Sequence, residues 1–166
     1  MNHVLHGLRE GALTITYNLY LAARAAGRRL TAPTAVGVRV IAPRGDEVLL
    51  VRHRGGRFPW SLPGGGVGRH ESLADSAVRE LREEGGCPAE VAYLHGLYHS
   101  FGEGMNNFIA IFVCTPLGEA RPPAADLEIV DARFFPARDL PATLDPGSRR
   151  RLEEFARGER GVYRPW

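Results

Sequence analysis

Three glutamates, Glu80, Glu83 and Glu84, lie within five residues of one another, where their like charges should repel. On a helix of about 100° per residue, Glu84 lies about 40° to one side of Glu80 and Glu83 about 60° to the other. The three carboxylates therefore share one helix face. Oxygen ligands without nearby thiolates favour a hard ion such as Mg²⁺ or Mn²⁺, although a solvated helix face would show the same spacing.

The element that must carry these glutamates is a helix from Ser72 to the glycine pair 85–86. Ser72 is a good N-cap, Asp75 completes a pattern like that of a capping box, and the glycines supply a left-handed C-terminal stop. The carboxylates then lie at the border of the apolar stripe, where their repulsion is poorly screened unless cations neutralise it. The apolar residues of this helix are Leu73, Ala77, Val78 and Leu81.

The remaining elements follow from β-branched runs and turn residues. We predict a hairpin of strands 36–42 and 47–53, a short strand 60–62, strands 91–98, 107–114 and 130–135, and a last helix 147–157. Strands, one central helix, further strands and a closing helix indicate a mixed α/β layer fold in one domain.

The N-terminal segment, residues 1–30, precedes this pattern and is expected to be a helical extension of the main domain, residues 31–166. The spacing of apolar residues within 12–30 predicts an amphipathic helix. A membrane-surface helix and a secretory signal are the alternatives. Asn18 and Arg24 interrupt the longest apolar stretch, which is too short and polar for a membrane span.

The composition limits the partners. All 21 basic residues are arginine, so Schiff-base chemistry is excluded and a phosphate site would use guanidinium groups. A net charge of +2 is too small and too dispersed to indicate a nucleic-acid surface. Cys87 and Cys114 form neither a CxxC motif nor a Cys/His cluster, which argues against a disulfide framework or structural zinc and favours a reducing cytoplasm.

Around the three glutamates, Gly65 to Cys87 follow the spacing G-x5-E-x7-R-E-U-x-E-E-x-G-U, in which U is a bulky aliphatic residue. This pattern resembles the Nudix box, and the similarity extends over about residues 34–145. It departs from the family at Cys87, which is smaller than usual, and at His70, where many members have glycine. We expect His70 to be exposed and structural. The resemblance implies a Nudix-type α/β/α sandwich with a mixed sheet.

The same resemblance implies a metal-dependent pyrophosphohydrolase that cleaves a nucleoside diphosphate linked to another moiety. Mg²⁺ or Mn²⁺ would be held by Glu80, Glu83, Glu84 and the backbone carbonyl of Gly64. Bound cations would neutralise the diphosphate and lower the pKa of the attacking water.

Two further roles concern Glu71, Arg79 and the general base. Glu71 and Arg79 are expected to pair, locking the loop against the helix and orienting Glu80. The base is not fixed by the box: Glu80 is the first choice, Glu128 the second and Glu103 the third.

Arginine and aromatic side chains outside the box are candidates for substrate binding. Arg52, Arg54 and Arg57 are expected to face the box, where a guanidinium group suits phosphate oxygens, but solvated arginines at a strand end are an equal alternative. Trp60 and Phe101 are candidates to stack on a base, with core packing favoured for Trp60.

Two other functions carry the same fold: a catalytically silent domain that senses nucleotides, and an isomerase of isopentenyl diphosphate. The intact R-E-x-x-E-E motif disfavours the first, and no nucleophilic cysteine can be assigned for the second. The expected partner is a small molecule linked to a nucleoside diphosphate. An NDP-sugar, an NTP, a dinucleoside polyphosphate and a capped 5′ RNA end all stay open. A homodimer through the N-terminal extension is a further expectation, and no membrane partner is expected.

Overall fold

The computed structural model describes residues 11, 13–20, 22–23, 34–101, 106–124 and 126–166. A helix, which we call α1, occupies residues 13–20; most of the rest of the predicted helix 12–30 lies outside the described ranges. The third candidate base, Glu103, also lies outside them. Within these ranges, no helix combines the length and the hydropathy needed to cross a bilayer.

The rest of the described chain contains eight strands and two further helices. The strands are β1 (Thr34–Ile41), β2 (Pro43–Arg44), β3 (Glu47–His53), β4 (Trp60–Ser61), β5 (Ala89–Ser100), β6 (Asn106–Pro116), β7 (Ile129–Pro136) and β8 (Val162–Pro165), and the helices are α2 (Leu73–Gly85) and α3 (Pro146–Ala156).

The strands form two sheets. The first has the order β1-β6-β5-β8 and is mixed, because β6 runs parallel to β1 and antiparallel to β5, whereas β8 runs parallel to β5. In the second sheet, β3 pairs antiparallel with β2, β4 and β7.

Alternating side chains of β3 serve two separate apolar clusters. Leu49 and Val51 pack in one cluster with Leu81 of α2, whereas Leu50 packs in the other with Leu152 of α3. Successive residues of a strand point to opposite faces of the sheet. Helices α2 and α3 therefore cover opposite faces of β3. The predicted α/β/α sandwich with a mixed sheet is confirmed.

The predicted hairpin of 36–42 and 47–53 is wrong in its pairing. Strand β1 pairs in parallel with β6, and only the two residues Pro43–Arg44 continue as the antiparallel partner of β3. Both runs are apolar and β-branched, so the local pattern indicates strands without indicating their neighbours.

Candidate functional site

The ends of helix α2 depend on the residues expected to cap it. The Asp75 backbone N–H donates to Ser72 Oγ at 3.0 Å, and Ser72 Oγ donates to Asp75 Oδ2 at 2.6 Å. At the other end Gly86 has a φ of 59° and donates its N–H to the carbonyl of Leu81. These local contacts fix where the acidic face of α2 begins and ends.

The Arg79 guanidinium lies among three of the box carboxylates. Its Nε and Nη2 donate to Glu71 Oε1 and Oε2 at 2.8 and 3.0 Å, which confirms the predicted pair. Its Nη1 donates to Glu80 Oε1 at 2.7 Å and to Glu83 Oε2 at 3.0 Å, and Nη2 also reaches the carbonyl of Gly66 at 3.0 Å. Arg79 thus offsets part of the repulsion that the sequence led us to assign to bound cations alone.

Glu71 is held by three groups. Besides Arg79, Ser76 Oγ donates to Glu71 Oε2 at 2.7 Å and the Gly68 N–H donates to the same oxygen at 2.8 Å. The hydrogen bonds from Arg79, then those from Ser76 and Gly68, lower the pKa of Glu71 from 4.5 to about 2. This carboxylate is therefore ionised and ties the loop before α2 to the helix itself.

Glu84 turns toward the glycine loop. The Gly64 N–H donates to Glu84 Oε2 at 2.8 Å, and Arg39 Nη1 donates to the Gly64 carbonyl at 2.8 Å. Gly64 has a φ of 146°, and a Cβ there would collide with the carbonyl of Val38, so the position requires glycine. Burial raises the pKa of Glu84 to about 7, against the opposing charge of Arg39.

Glu80 is buried beside the next glycine of the loop, Gly65. A Cβ added at Gly65 would lie 2.6 Å from Glu80 Oε1, so only glycine lets the loop approach this carboxylate so closely. Burial raises the pKa of Glu80, although its hydrogen bond from Arg79 acts in the opposite direction.

A pocket of 420 Å³ joins four of the predicted site residues. Gly64, Glu80 and Glu84 line one side, and Glu128, from the segment before β7, also lines it. The walls further include Ala35, Val36, Gly37, Val38, Arg39, His53, Gly65, Gly66, Asn107 and Ile109. The structure therefore brings both leading base candidates, Glu80 and Glu128, to the same space. Three predicted site residues, Glu71, Arg79 and Glu83, do not line the pocket but connect to it, because Arg79 donates to both of these glutamates and to Glu80.

Arg52, Arg54 and Arg57 do not line this pocket. Arg52 Nε lies 3.9 Å from Asp131 Oδ2. The Arg57 guanidinium lies 5.3 Å from the centroid of the Phe58 ring. Arg54 donates to the backbone carbonyls of the segment before β7, at distances of 3.0 and 3.2 Å. Phosphate binding by these three side chains stays a prediction.

Arg39 and His53 line the pocket and were missed by sequence reasoning. Arg39 donates to the carbonyls of Leu62 and Gly64, and His53 Nε2 lies 3.0 Å from Ser61 Oγ. The available signal was an arginine between valines in the apolar run of β1, because a charged residue there needs a partner.

The two aromatic candidates differ in burial. Trp60 is 8% exposed and packs edge-on against Phe135, which confirms the favoured core packing. Phe101 is 62% exposed and stacks on His99 with 4.7 Å between ring centroids. His70 is exposed, as expected.

The donor chemistry of the pocket fits a hard cation. Across the described ranges, no three His, Cys, Asp or Glu side chains converge in a group that could hold a metal ion, since Glu80 and Glu83 share Arg79 Nη1 and Glu84 faces the Gly64 N–H. The ligands predicted from sequence, the side chains of Glu80, Glu83 and Glu84 and the Gly64 carbonyl, nevertheless offer only oxygens, and burial penalises the charged forms of Glu80 and Glu84. Positive charge beside these carboxylates would stabilise them.

Comparison with known proteins gives consistent matches. The family model of the NUDIX domain matches residues 31–155. An ADP-ribose pyrophosphatase of Methanocaldococcus jannaschii is 29% identical over 117 residues, which cover 68% of this chain and 68% of that protein. The chain spans between 43% and 80% of the length of the curated relatives it matches, and less than two thirds of several of them.

Two solved structures show the same fold. The crystal structure of a UDP-X diphosphatase has a TM-score of 0.65 at 25% identity and covers 79% of this chain and 66% of its own. That of a MutT NUDIX hydrolase from Burkholderia pseudomallei has a TM-score of 0.63 at 26% identity, covering 73% of this chain and 96% of its own. The structural similarity thus extends over about three quarters of this chain.

Proposed function

Because the chain belongs to the NUDIX family, we propose that it is a metal-dependent pyrophosphohydrolase that cleaves a nucleoside diphosphate linked to another moiety. The names of the similar proteins, an ADP-ribose pyrophosphatase and a UDP-X diphosphatase, support hydrolysis of a phosphorus anhydride. The observation that carries the proposal is that Glu80, Glu84 and Glu128 line one pocket together with the glycine loop 64–66.

Glu80, Glu83, Glu84 and the Gly64 carbonyl are the proposed ligands of Mg²⁺ or Mn²⁺. A bound divalent cation supplies positive charge against the diphosphate and lowers the pKa of the attacking water. The raised pKa values of Glu80 and Glu84 support this assignment, because positive charge would offset the cost of burying them.

The chain's own groups hold the site in shape. Arg79 connects the Gly66 carbonyl to α2, and Glu71 accepts from the Gly68 N–H, so this ion pair keeps the glycine loop against the helix. In this proposal Glu80 or Glu128 accepts the proton of the attacking water. Both line the pocket, but one oxygen of Glu80 is already engaged by Arg79.

A second cavity offers space for the group attached to the diphosphate. It measures 300 Å³ and shares Arg39, His53 and Asn107 with the acidic pocket. Phe58 and Trp166 add aromatic surface on which a base can stack. This pairing of an acidic cavity with an aromatic one supports a nucleoside diphosphate-linked small molecule as the substrate class.

The test is a substrate panel with Mg²⁺ and Mn²⁺, containing NDP-sugars, ADP-ribose, NTPs, dinucleoside polyphosphates and capped RNA. The wild type is compared with Glu83→Gln and, as a control, with Glu90→Gln. Glu83 and Glu90 are both exposed, so neither change should disturb the core. We expect metal-dependent hydrolysis that falls at least about a hundredfold in Glu83→Gln and is retained in Glu90→Gln.

Equal rates for wild type and Glu83→Gln, or turnover unaffected by a chelator, would refute this assignment. Binding of nucleotides by calorimetry without any turnover would support the nucleotide-sensing alternative instead.

Three further expectations belong to the same proposal. The buried Cys87 and Cys114 are both free thiols, which supports a reducing compartment such as the cytoplasm. The homodimer through residues 1–30 stays a prediction, which analytical ultracentrifugation tests. The division into an N-terminal extension, residues 1–30, and a main domain, residues 31–166, also stays a prediction. The 5′ RNA end is tested by the panel above.

A further inference from the structure

Helix α1 lies outside the matched domain, residues 31–155, yet contacts the wall of the acidic pocket. Tyr17 of this helix is only 8% exposed, and its hydroxyl donates to Glu128 Oε1 at 2.9 Å. The next residue, Asn18, packs so closely on the loop after β3 that a Cβ at Gly55 would lie 2.7 Å from Asn18 Oδ1. The tyrosine is therefore held by close packing around it.

The backbone that carries Glu128 is fixed from the opposite direction. The Arg54 N–H donates to the Glu128 carbonyl at 2.8 Å, and Arg54 Nε donates to the Leu127 carbonyl at 3.0 Å. Asp126 Oδ1 accepts the Glu128 N–H at 2.6 Å. These contacts position the main chain but not the end of the glutamate side chain.

The Glu128 side chain is long and 46% exposed, so its carboxylate loses rotamer freedom only where other groups hold it. Its Oε1 is the oxygen to which Tyr17 donates, and His53 Nδ1 lies 3.5 Å from the same atom. Glu128 lines both the acidic pocket and an apolar groove of 480 Å³ along α1, whose other walls include Tyr17 and Leu13. It thus lies between the helix and the proposed site.

We propose that Tyr17 is a positioning residue, whose hydroxyl holds the Glu128 carboxylate in the pocket that also contains Glu80 and Glu84. This inference rests on the proposed function and extends it beyond the matched domain. A proton acceptor held in one orientation reacts faster than one that samples several rotamers, so the contact should act on kcat. Tyr17 acts through Glu128 and is itself neither a proposed proton acceptor nor a proposed metal ligand.

The experiment combines Tyr17→Phe with Glu128→Gln in the full chain, and uses Tyr20→Phe as the matched control. Tyr20 stacks near Tyr17, with 6.5 Å between ring centroids, but is 53% exposed. We expect Tyr17→Phe to lower kcat about tenfold while KM changes less than about twofold, and Tyr20→Phe to match the wild type. In the Glu128→Gln background, Tyr17→Phe should have no further effect on kcat.

A Tyr17→Phe variant with wild-type kcat, or equal losses from Tyr17→Phe with and without Glu128, would overturn the inference. Full activity of Glu128→Gln would overturn it too, because there would be no reacting group to position. The wild type, Tyr17→Phe, Glu128→Gln and the double variant are also unfolded in urea. The effects of the two substitutions on the free energy of unfolding should be coupled rather than additive. If the wild type hydrolyses no compound, the proposed function fails. The unfolding measurements then decide the Tyr17–Glu128 contact separately: additive changes in the free energy of unfolding would refute the contact, and coupled changes would support it.

Discussion

Arg79 and Glu71 meet through a two-point contact, with Nε 2.8 Å from Oε1 and Nη2 3.0 Å from Oε2. A planar guanidinium matches a carboxylate in this way, whereas the point charge of an ammonium group cannot. The hydrogen bonds to Glu71 and then to Glu80 raise the pKa of Arg79, so the cation is permanent. The pair therefore holds the glycine loop against α2 as long as Glu71 stays ionised.

Glu71→Gln should remove an acid-sensitive part of the stability. The folded-state pKa of Glu71 is about 2 against an ordinary 4.5, so its contribution is complete above pH 4.5 and is lost as the pH falls toward 2. Urea midpoints measured at pH 6 and pH 3 should differ less in Glu71→Gln than in the wild type. Exposed Glu90→Gln serves as the control and should keep the wild-type difference; an unchanged acid dependence in Glu71→Gln would contradict the assignment.

Gly65→Ala should impair activity more than it impairs folding. The added methyl would lie 2.6 Å from Glu80 Oε1, so the carboxylate must move, whereas a Cβ at Gly66 meets nothing within 4 Å. We expect kcat to fall at least about tenfold in Gly65→Ala and far less in Gly66→Ala, because small displacements of reacting groups are costly. Melting temperatures of the two variants show whether folding is preserved. Similar kcat values for both would mean that Glu80 need not occupy its observed position.

His95→Leu should flatten the pH dependence of stability below neutrality. His95 is fully buried, and neither ring nitrogen has a hydrogen-bond partner in the described part of the chain. Burial lowers its pKa below 6.5, although Glu154, 3.9 Å from Nε2, acts in the opposite direction and Arg151 reinforces the decrease.

The stabilising effect of a lowered histidine pKa is present above pH 6.5 and is lost as the pH falls, because the unfolded chain takes up the proton first. Each unmatched proton changes the unfolding free energy by up to about 1.4 kcal/mol per pH unit. Chemical unfolding at pH 7.5 and pH 5 should therefore show a smaller loss in His95→Leu than in the wild type. The exposed His70, replaced in His70→Asn, gives the comparison and should retain the full loss.

His70→Gly should stabilise the protein. His70 is a non-glycine residue with a φ of 58°, at the position where many Nudix boxes have glycine. A non-glycine side chain in the left-handed region destabilises the folded state by about 1–2 kcal/mol, which glycine avoids. Glycine also has more conformational freedom in the unfolded chain, which offsets about 0.5–1 kcal/mol of this gain. We expect a net gain of about 0.5–1 kcal/mol in urea unfolding. Arg69→Gly, one residue earlier and outside the left-handed region, should instead lose stability; a loss in His70→Gly would mean that the imidazole makes a compensating contact.

The features predicted correctly from sequence are those set by near neighbours. Ser72 and Gly86 cap α2 through contacts within a few residues, and Glu71 reaches Arg79 across two helical turns and a short loop. The order of strands and helices follows from runs of apolar residues in the same way. Such signals need no knowledge of the rest of the chain.

Long-range pairing was not predictable in this way. Strand β8 is a short, largely exposed segment whose four residues pair with β5, more than sixty positions away, and its sequence carries no strand pattern. Arg39 lines the pocket, and Tyr17 contacts the pocket residue Glu128, only because β1 and α1 pack where they do. Positions like these depend on tertiary packing, which periodicity and capping do not encode.

The contact between Tyr17 and Glu128 crosses the boundary of the matched domain, and this matters for how such proteins are recombined. A chimera that takes residues 31–155 from this chain and its leading segment from a relative would inherit every box residue but lose the hydroxyl that reaches Glu128. If Tyr17 positions Glu128 as we propose, two proteins with identical boxes would then differ in kcat through a residue that alignment of the boxes never compares. On this proposal, substitutions in the leading segment are a route by which the catalytic rate diverges while the sequence of the matched domain stays constant.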